Sequence, residues 1–283
     1  MKADIRFQTQ SKEFWANVRT ISQDGYTERG TKKIRIPSLP AIRKTFERLG
    51  LSTTHIAGAD DTLTSFGQRL FDYFAFRAGV LNAIVQNQLM NKAAAEREFK
   101  RLKTSLKPKC PLPMNKQKSE KKNYAFLTGM VNMIVEAHIG DATCDYDPQS
   151  LTTITHDAMP LRTLARRVDG AFPSVVNPIA IWEIKEYYYT TTFGSRVADG
   201  VYETLLDGME LAELEVATRR KVQHVLFIDD YFTWWECGRS YLCRLIDMLH
   251  MGYVDEVVFG REILTRLPIL AGEWRASFDL VNG

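Results

Sequence analysis

The chain of 283 residues is 45% hydrophobic and 25% charged, which excludes disordered and collagen-like polymers and suffices for one large domain or two modest ones. No apolar run approaches the roughly 20 residues needed to cross a bilayer, and the opening MKADIRFQTQ lacks the apolar core of a secretory signal, so a soluble cytoplasmic protein with no membrane partner is expected. The formal net charge is only +3, and Cys110, Cys144, Cys237 and Cys243 form no CxxC pair, so reduced thiols are expected rather than a zinc ribbon or a disulfide framework.

The first third reads as helical. Ser38 precedes LPAIRKTFERLGL, with Pro40 in the first turn and Gly50 at the end, as at a helix start and stop. From about Thr62 to Phe99, apolar residues including Leu63, Phe66, Leu70, Tyr73, Leu81 and Val85 recur at helical spacing, a stripe suited to a core. Residues 104–123, TSLKPKCPLPMNKQKSEKKN, hold three prolines and no amphipathic period, so a linker is expected, with a boundary between residues 122 and 123. Between Lys92 and Lys122 eleven Lys and Arg stand against three acids, so this stretch carries +8 in a chain whose total is +3. It reads either as the footprint of a polyanion such as nucleic acid or as a solvated helix end and linker.

The pattern then changes. A helix is expected from about Tyr124 to His138, with Glu136 near its end. LTTITHDAM, LARRVDGAF and IAIWEIKEYYY are strand-like, the last two as antiparallel neighbours on either side of PSVVNP. A helix begins at Ser195 with Val197, Val201, Leu205, Leu206 and Met209 on one face. VQHVLFIDD is a short strand to be covered on both faces, followed by a helix at residues 240–251 and a last strand, VDEVVFG. The expected fold class is α/β of the α+β kind: a central mixed sheet flanked by helices in residues 123–283, behind a mainly helical region in residues 1–122.

The chemistry concentrates in RVDGAFPSVVNPIAIWEIKEYYYTTTFGSR. Asp169 falls at the end of one strand, and Glu183 and Lys185, two apart on the next, share a face. Charges on an otherwise Ile-, Trp- and Tyr-rich strand are costly unless compensated, and Mg²⁺ held by carboxylates, water and substrate phosphate supplies such compensation. An acid-x-Lys triplet occurs three times, but Glu98-Phe99-Lys100 lies in a charged helix end and Glu120-Lys121-Lys122 in the basic linker; only Glu183-Ile184-Lys185 lies in a strand pattern. Without a metal the same residues read as a turn aspartate and a surface Glu–Lys ladder on an edge strand. Beyond the lysine, EYYYTTTFGSR offers Tyr189, Thr191 and Arg196 as phosphate contacts, with strand packing as the other reading of the tyrosines. Asp229-Asp230 reads as a strand-ending turn. No GxSxG, P-loop, GxGxxG or HExxH spacing is present.

Asp169 followed fourteen residues later by Glu183-Ile184-Lys185 across a hairpin resembles the PD-(D/E)XK nucleases, in particular type II restriction endonucleases. The element order from Tyr124 to Met251 is similar to that core if LTTITHDAM is its first strand. The resemblance implies a Mg²⁺-dependent endonuclease that cuts double-stranded DNA and leaves 5′-phosphates. In it Asp169 and Glu183 are metal ligands, the Ile184 carbonyl adds a metal contact, Lys185 is the catalytic lysine, and Glu136 is the carboxylate that many members place on the preceding helix. The proline usual before the Asp is Val168 here. Lys116, Lys118, Lys121 and Lys122 join Arg196, Tyr189 and Thr191 as candidate DNA contacts. Cutting two strands with one site per chain implies a homodimer or pairing with a related subunit. The rival expectations are a structure-specific repair or recombination nuclease on the same core and a non-catalytic DNA-binding protein.

Overall fold

The computed structural model describes residues 1–283 except 29, 32, 118, 119, 190–193 and 283, and the side chains of 116, 117, 120–122, 281 and 282 also lie outside the description. The chain opens with α1 (Ile5–Gln8), α2 (Lys12–Ser22), α3 (Leu39–Arg48) and α4 (Ser65–Gly79). The Asp4, Ser11 and Thr64 side chains cap α1, α2 and α4 by accepting first-turn N–H groups. The inward faces of these helices make a separate aromatic-rich core of Phe14, Trp15, Ile42, Phe46, Leu70 and Phe74. A π-helical stretch, Val80–Val85, and α5 (Gln86–Gln88) follow, and α6 (Lys92–Leu106) restarts from an Asn91 cap.

The single helical pattern expected from Thr62 to Phe99 is thus interrupted. The reason lies far away in sequence: the Met90 N–H donates to Asp229 Oδ1 at 2.7 Å, and its carbonyl accepts from the Tyr231 N–H at 2.9 Å. Both main-chain groups are satisfied outside a helix, so the helix need not continue. Phe99 and Leu102 of α6 pack into the same core as the helix after it, whereas Ala78, Leu81, Val85 and Leu89 pack into the core on the other side of the sheet. The expected linker also contains an antiparallel hairpin, β1 (Met114–Gln117) and β2 (Glu120–Tyr124).

After α7 (Phe126–His138) come β3 (Asp145–Tyr146), β4 (Thr153–His156), β5 (Met159–Thr163), β6 (Gly170–Phe172), β7 (Ala180–Glu186), α8 (Ser195–Thr218), β8 (Gln223–Asp229), α9 (Arg239–His250), β9 (Glu256–Phe259) and α10 (Ile263–Asn282). The main sheet has the order β3-β6-β7-β8-β9, antiparallel from β3 to β7 and parallel from β7 to β9, so it is a mixed sheet as expected. The LTTITHDAM strand requires correction. Asp157 and Ala158 adopt positive φ and turn that segment back on itself as the separate β4–β5 hairpin, and the strand beside β6 is β3.

Both faces of the sheet are covered. Ala180, Trp182, Val225 and Phe227 pack with α6, α7 and α10, where the Trp182 and Trp274 rings stack with centroids 5.3 Å apart. Ile181 packs with Leu211 and Leu214 of α8, and Leu226, Ile228 and Val257 pack with α8 and α9. Glu183 and Lys185 belong to this second face by strand alternation, paired in register with Leu226 and Ile228.

Candidate active site

β6 pairs with β7 only from Gly170↔Trp182 to Phe172↔Ala180, so residues 183–186 of β7 extend past it and leave a notch in the sheet. Asp169, immediately before β6, sits at that notch. Its N–H donates to the Trp182 carbonyl at 3.1 Å, and its Oδ2 accepts the Ile184 N–H at 2.6 Å, so the carboxylate replaces the missing strand partner. Asp169, Glu183 and Lys185 are therefore brought together by two features that need each other: strand alternation on β7 and the early start of β6.

The Lys185 ammonium donates to Glu183 Oε2 at 2.8 Å and lies 3.3 Å from Glu203 Oε2. Its aliphatic stem crosses Gly200 of α8, where an added Cβ would fall 3.2 Å from Cδ and 3.4 Å from Cε. A glycine therefore lets the helix lie close over a buried lysine. Three further residues complete the cluster. Arg166, in the loop between β5 and Asp169, places Nη1 2.7 Å from Asp207 and 2.9 Å from Glu183 Oε1, and Nη2 3.3 Å from Glu203. The loop is held against α8 by Glu210, which accepts from the Ala165 N–H at 2.9 Å and from Arg162 at 3.0 Å.

The charges do not balance. Among the described residues, the ion-pair partners of Asp169, Glu183, Glu203 and Asp207 are Lys185 and Arg166. Glu183 Oε1 and Asp207 Oδ1 are buried without a hydrogen-bond partner; Arg166 is near Oε1 but out of line for one. Burial and the neighbouring Glu183 charge push the Asp169 carboxyl up to about 6, and the same two causes push Asp207 up to about 7. For Glu183, burial alone would raise the carboxyl, but Lys185 and Arg166 together leave it below its usual value. Burial opposes the charge of Lys185, yet Glu183 and Asp169 keep its ammonium above the ordinary lysine value, so it is a cation at neutral pH.

These residues fit a divalent cation. Asp169 and Glu183 are neighbouring carboxylates, Glu183 Oε1 is buried without a hydrogen bond, and carboxylate oxygen suits Mg²⁺. Among the described residues no three His, Cys, Asp or Glu side chains are arranged to hold a metal as they stand, so such a cation would rest on two carboxylates completed by water and phosphate.

Glu136 is not part of the cluster. It lies on α7, which packs on the Trp182 face, and its carboxylate accepts the Lys109 N–H at 2.9 and 3.2 Å. The helix-borne carboxylates that do reach Glu183 and Lys185 come from α8. Ile184 points its side chain toward the α7 face while its N–H meets Asp169. Arg196 is exposed in the first turn of α8 and its carbonyl accepts the Tyr187 hydroxyl at 3.1 Å. Tyr189 turns to the other side, donating to the Tyr124 carbonyl at 3.1 Å beneath the Lys92 ammonium, 4.3 Å from its ring centroid. Thr191 and Lys118 lie outside the described residues, as do the side chains of Lys116, Lys121 and Lys122, whose backbones form the β1–β2 hairpin.

Sequence reasoning missed Arg166, Glu203 and Asp207. A signal was present: Asp199, Glu203, Asp207 and Glu210 recur at helical spacing beside the apolar stripe of α8.

The fold and cluster define an α+β protein with a carboxylate-rich buried site at an interrupted edge of a mixed sheet. Residues 90–274 match the family model of a domain of unknown function, DUF7687, and residues 1–84 match that of a second domain of unknown function, DUF7690. The chain belongs to the DUF7687 family, and the two matches meet where the helical pattern breaks around Met90. No curated protein and no solved structure matches it. Among the described residues no helix is long and apolar enough to cross a membrane.

Proposed function

We propose that this protein is a type II restriction endonuclease of the PD-(D/E)XK kind, a cytoplasmic enzyme that hydrolyses phosphodiester bonds of double-stranded DNA at specific sites with Mg²⁺ and leaves 5′-phosphate ends. The observation that carries the reading is the convergence of Asp169, Glu183 and Lys185 at the notch beside β6, with a buried Glu183 oxygen that has no hydrogen bond. An acid that accepts a backbone N–H across a sheet gap and an acid-x-Lys pair on the adjoining strand make a compact phosphate-hydrolysis constellation.

Asp169 and Glu183 would hold Mg²⁺, with the Ile184 carbonyl as a further contact. The ion would neutralise charge on the scissile phosphate and make bound water more acidic. Lys185, kept cationic by its two carboxylate neighbours, orients the attacking water and offsets charge developing on the phosphate oxygens. Arg196, exposed at the start of α8, is a backbone-phosphate contact, and the basic residues of the segment from Lys92 to Lys122, Lys116, Lys118, Lys121 and Lys122 among them, supply the sequence-independent attraction to DNA. Glu136, satisfied by the Lys109 N–H on the opposite face, has no part in this mechanism. Two-strand cleavage calls for a homodimer or a related second subunit.

The test is incubation with a fully sequenced, unmethylated phage DNA in Mg²⁺ or in EDTA, beside Lys185→Ala. Discrete fragments only with Mg²⁺ and the intact lysine are expected. A smear or nicking confined to branched DNA would replace the reading with a structure-specific nuclease. Uncut DNA from a folded protein that still binds it would make the cluster a structural ion-pair network in a DNA-binding protein.

A further inference from the structure

Arg166 stands where a metal's positive charge would stand. Its Nη1 is 2.9 Å from Glu183 Oε1, the orphaned oxygen of the acid-x-Lys pair, while Asp207 at 2.7 Å and Glu203 at 3.3 Å anchor the guanidinium from α8. The Arg166 side chain is 24% exposed and rises from an irregular loop three residues before Asp169, so unlike Lys185 it has a route to solvent.

We infer that Arg166 is an internal counter-ion that holds the cation position beside Glu183 in the DNA-free protein and yields it to a divalent cation when a DNA phosphate takes over the guanidinium. The inference rests on the nuclease reading and extends it to regulation: metal loading is coupled to DNA. Three features carry it. A guanidinium within 3 Å of Glu183 Oε1 and a dication bound at that oxygen repel each other at short range in a poorly screened pocket. The contact to Glu183 lacks hydrogen-bond alignment, whereas the contact to Asp207 is a hydrogen bond, so Arg166 is docked by α8 and only leans on Glu183. The planar guanidinium fork suits a phosphate at least as well as these splayed carboxylates. Asp207 and Glu203 are thus positioning residues for Arg166, and Asp169 and Glu183 remain for the metal. Coupling of this kind is reciprocal: metal must also tighten DNA binding.

The experiment is titration of the full chain with Mn²⁺, free Mn²⁺ being followed by its electron-spin resonance, for wild type, Arg166→Gln, Arg166→Lys and Asp207→Asn, each with and without fragmented phage DNA. Removing the positive charge in R166Q is expected to tighten Mn²⁺ binding about tenfold in the absence of DNA, a usual size for coupling between two sites. R166K should stay near wild type, D207N should shift the same way as R166Q by less, and DNA should close the gap between wild type and R166Q. Equal or weaker Mn²⁺ binding by folded R166Q overturns the inference while leaving the nuclease reading intact, because wild type still binds metal. If R166Q does not fold, D207N decides: no tightening overturns the inference. A gap that persists in DNA overturns the coupling. Absence of Mn²⁺ binding by every protein, with DNA present, overturns both the inference and the reading beneath it.

Discussion

Two buried clusters in this molecule are made of the same residue types and differ in what they leave unfinished. At the first, Asp247 of α9 receives the Tyr73 hydroxyl at 2.5 Å and Arg77 Nη1 at 2.9 and 3.0 Å, so one acid meets one cation and both of its oxygens are occupied. It ties α4, and with it the N-terminal core, to the layer that covers the sheet. At the second, among the described residues, Glu183 and three further acids meet two cations, two buried carboxylate oxygens have no hydrogen bond, and the neighbouring strand stops short. A cluster whose charges balance and whose carboxylate oxygens are both occupied is a structural joint. At the unbalanced one the excess is negative, and burial raises Asp169 and Asp207 toward protonation.

The largest break in this comparison is at the joint. Arg77→Met leaves Asp247 buried without its cation and is expected to lower unfolding stability by about 3–5 kcal/mol, read by urea denaturation, with no Mn²⁺ effect. Next comes the pH dependence of Asp229, which caps the break at Met90. Burial pushes its carboxyl up to about 8 although the Tyr188 hydroxyl and the Met90 N–H donate to it. Because the folded value is above the unfolded one of about 3.9, its contribution is full below pH ~4 and is lost as pH rises toward 8, with a slope no steeper than about 1.4 kcal/mol per pH unit for one proton. Asp229→Asn, which keeps the acceptor and cannot ionise, should flatten that part of the stability profile; an unchanged profile would assign the slope elsewhere. At the open cluster, Arg166→Gln should cost only about 1–2 kcal/mol, since Lys185 still pairs Glu183 and Asp207 is free to protonate. Mn²⁺ should then raise the melting temperature of the variant by more than it raises that of wild type. Gly200→Ala inserts a methyl group 3.2 Å from Lys185 Cδ and 3.1 Å from the Tyr187 hydroxyl, for about 1 kcal/mol of stability and a larger proportional loss of cleavage, because the ammonium is displaced.

The unequal clusters were also unequally legible. Asp169, Glu183 and Lys185 could be placed together because a strand's period of two fixes which residues share a face, and a short connection makes neighbouring strands antiparallel. Glu136 was found on the expected helix, but a helix period does not say which side of the sheet the helix covers, and α7 covers the Trp182 side. Glu203 and Asp207 fall beside the apolar stripe of α8, where only the rotation of the packed helix decides between solvent and sheet. Arg166 belongs to a loop whose path is set by Glu210 across 45 residues, and no local pattern encodes such a contact. The joint at Asp247 went unread for the same reason: its partner Arg77 is 170 residues away in sequence.

The smallest effect separates burial from distance as the source of the contrast. Arg275 Nη1 lies 2.5 Å from Asp141, shorter than any Arg77 or Arg166 contact, yet Asp141 is 92% exposed and Arg275 also holds Asp279 at 2.9 Å and the Ile139 carbonyl at 2.8 Å. Water and salt screen such a pair, and the arginine keeps two partners when the aspartate goes. Asp141→Ala is therefore expected to leave the unfolding midpoint unchanged within error. A loss comparable to that of Arg77→Met would mean that ion-pair geometry, rather than burial and charge balance, orders these clusters, and an excess of buried acids would then not mark a site.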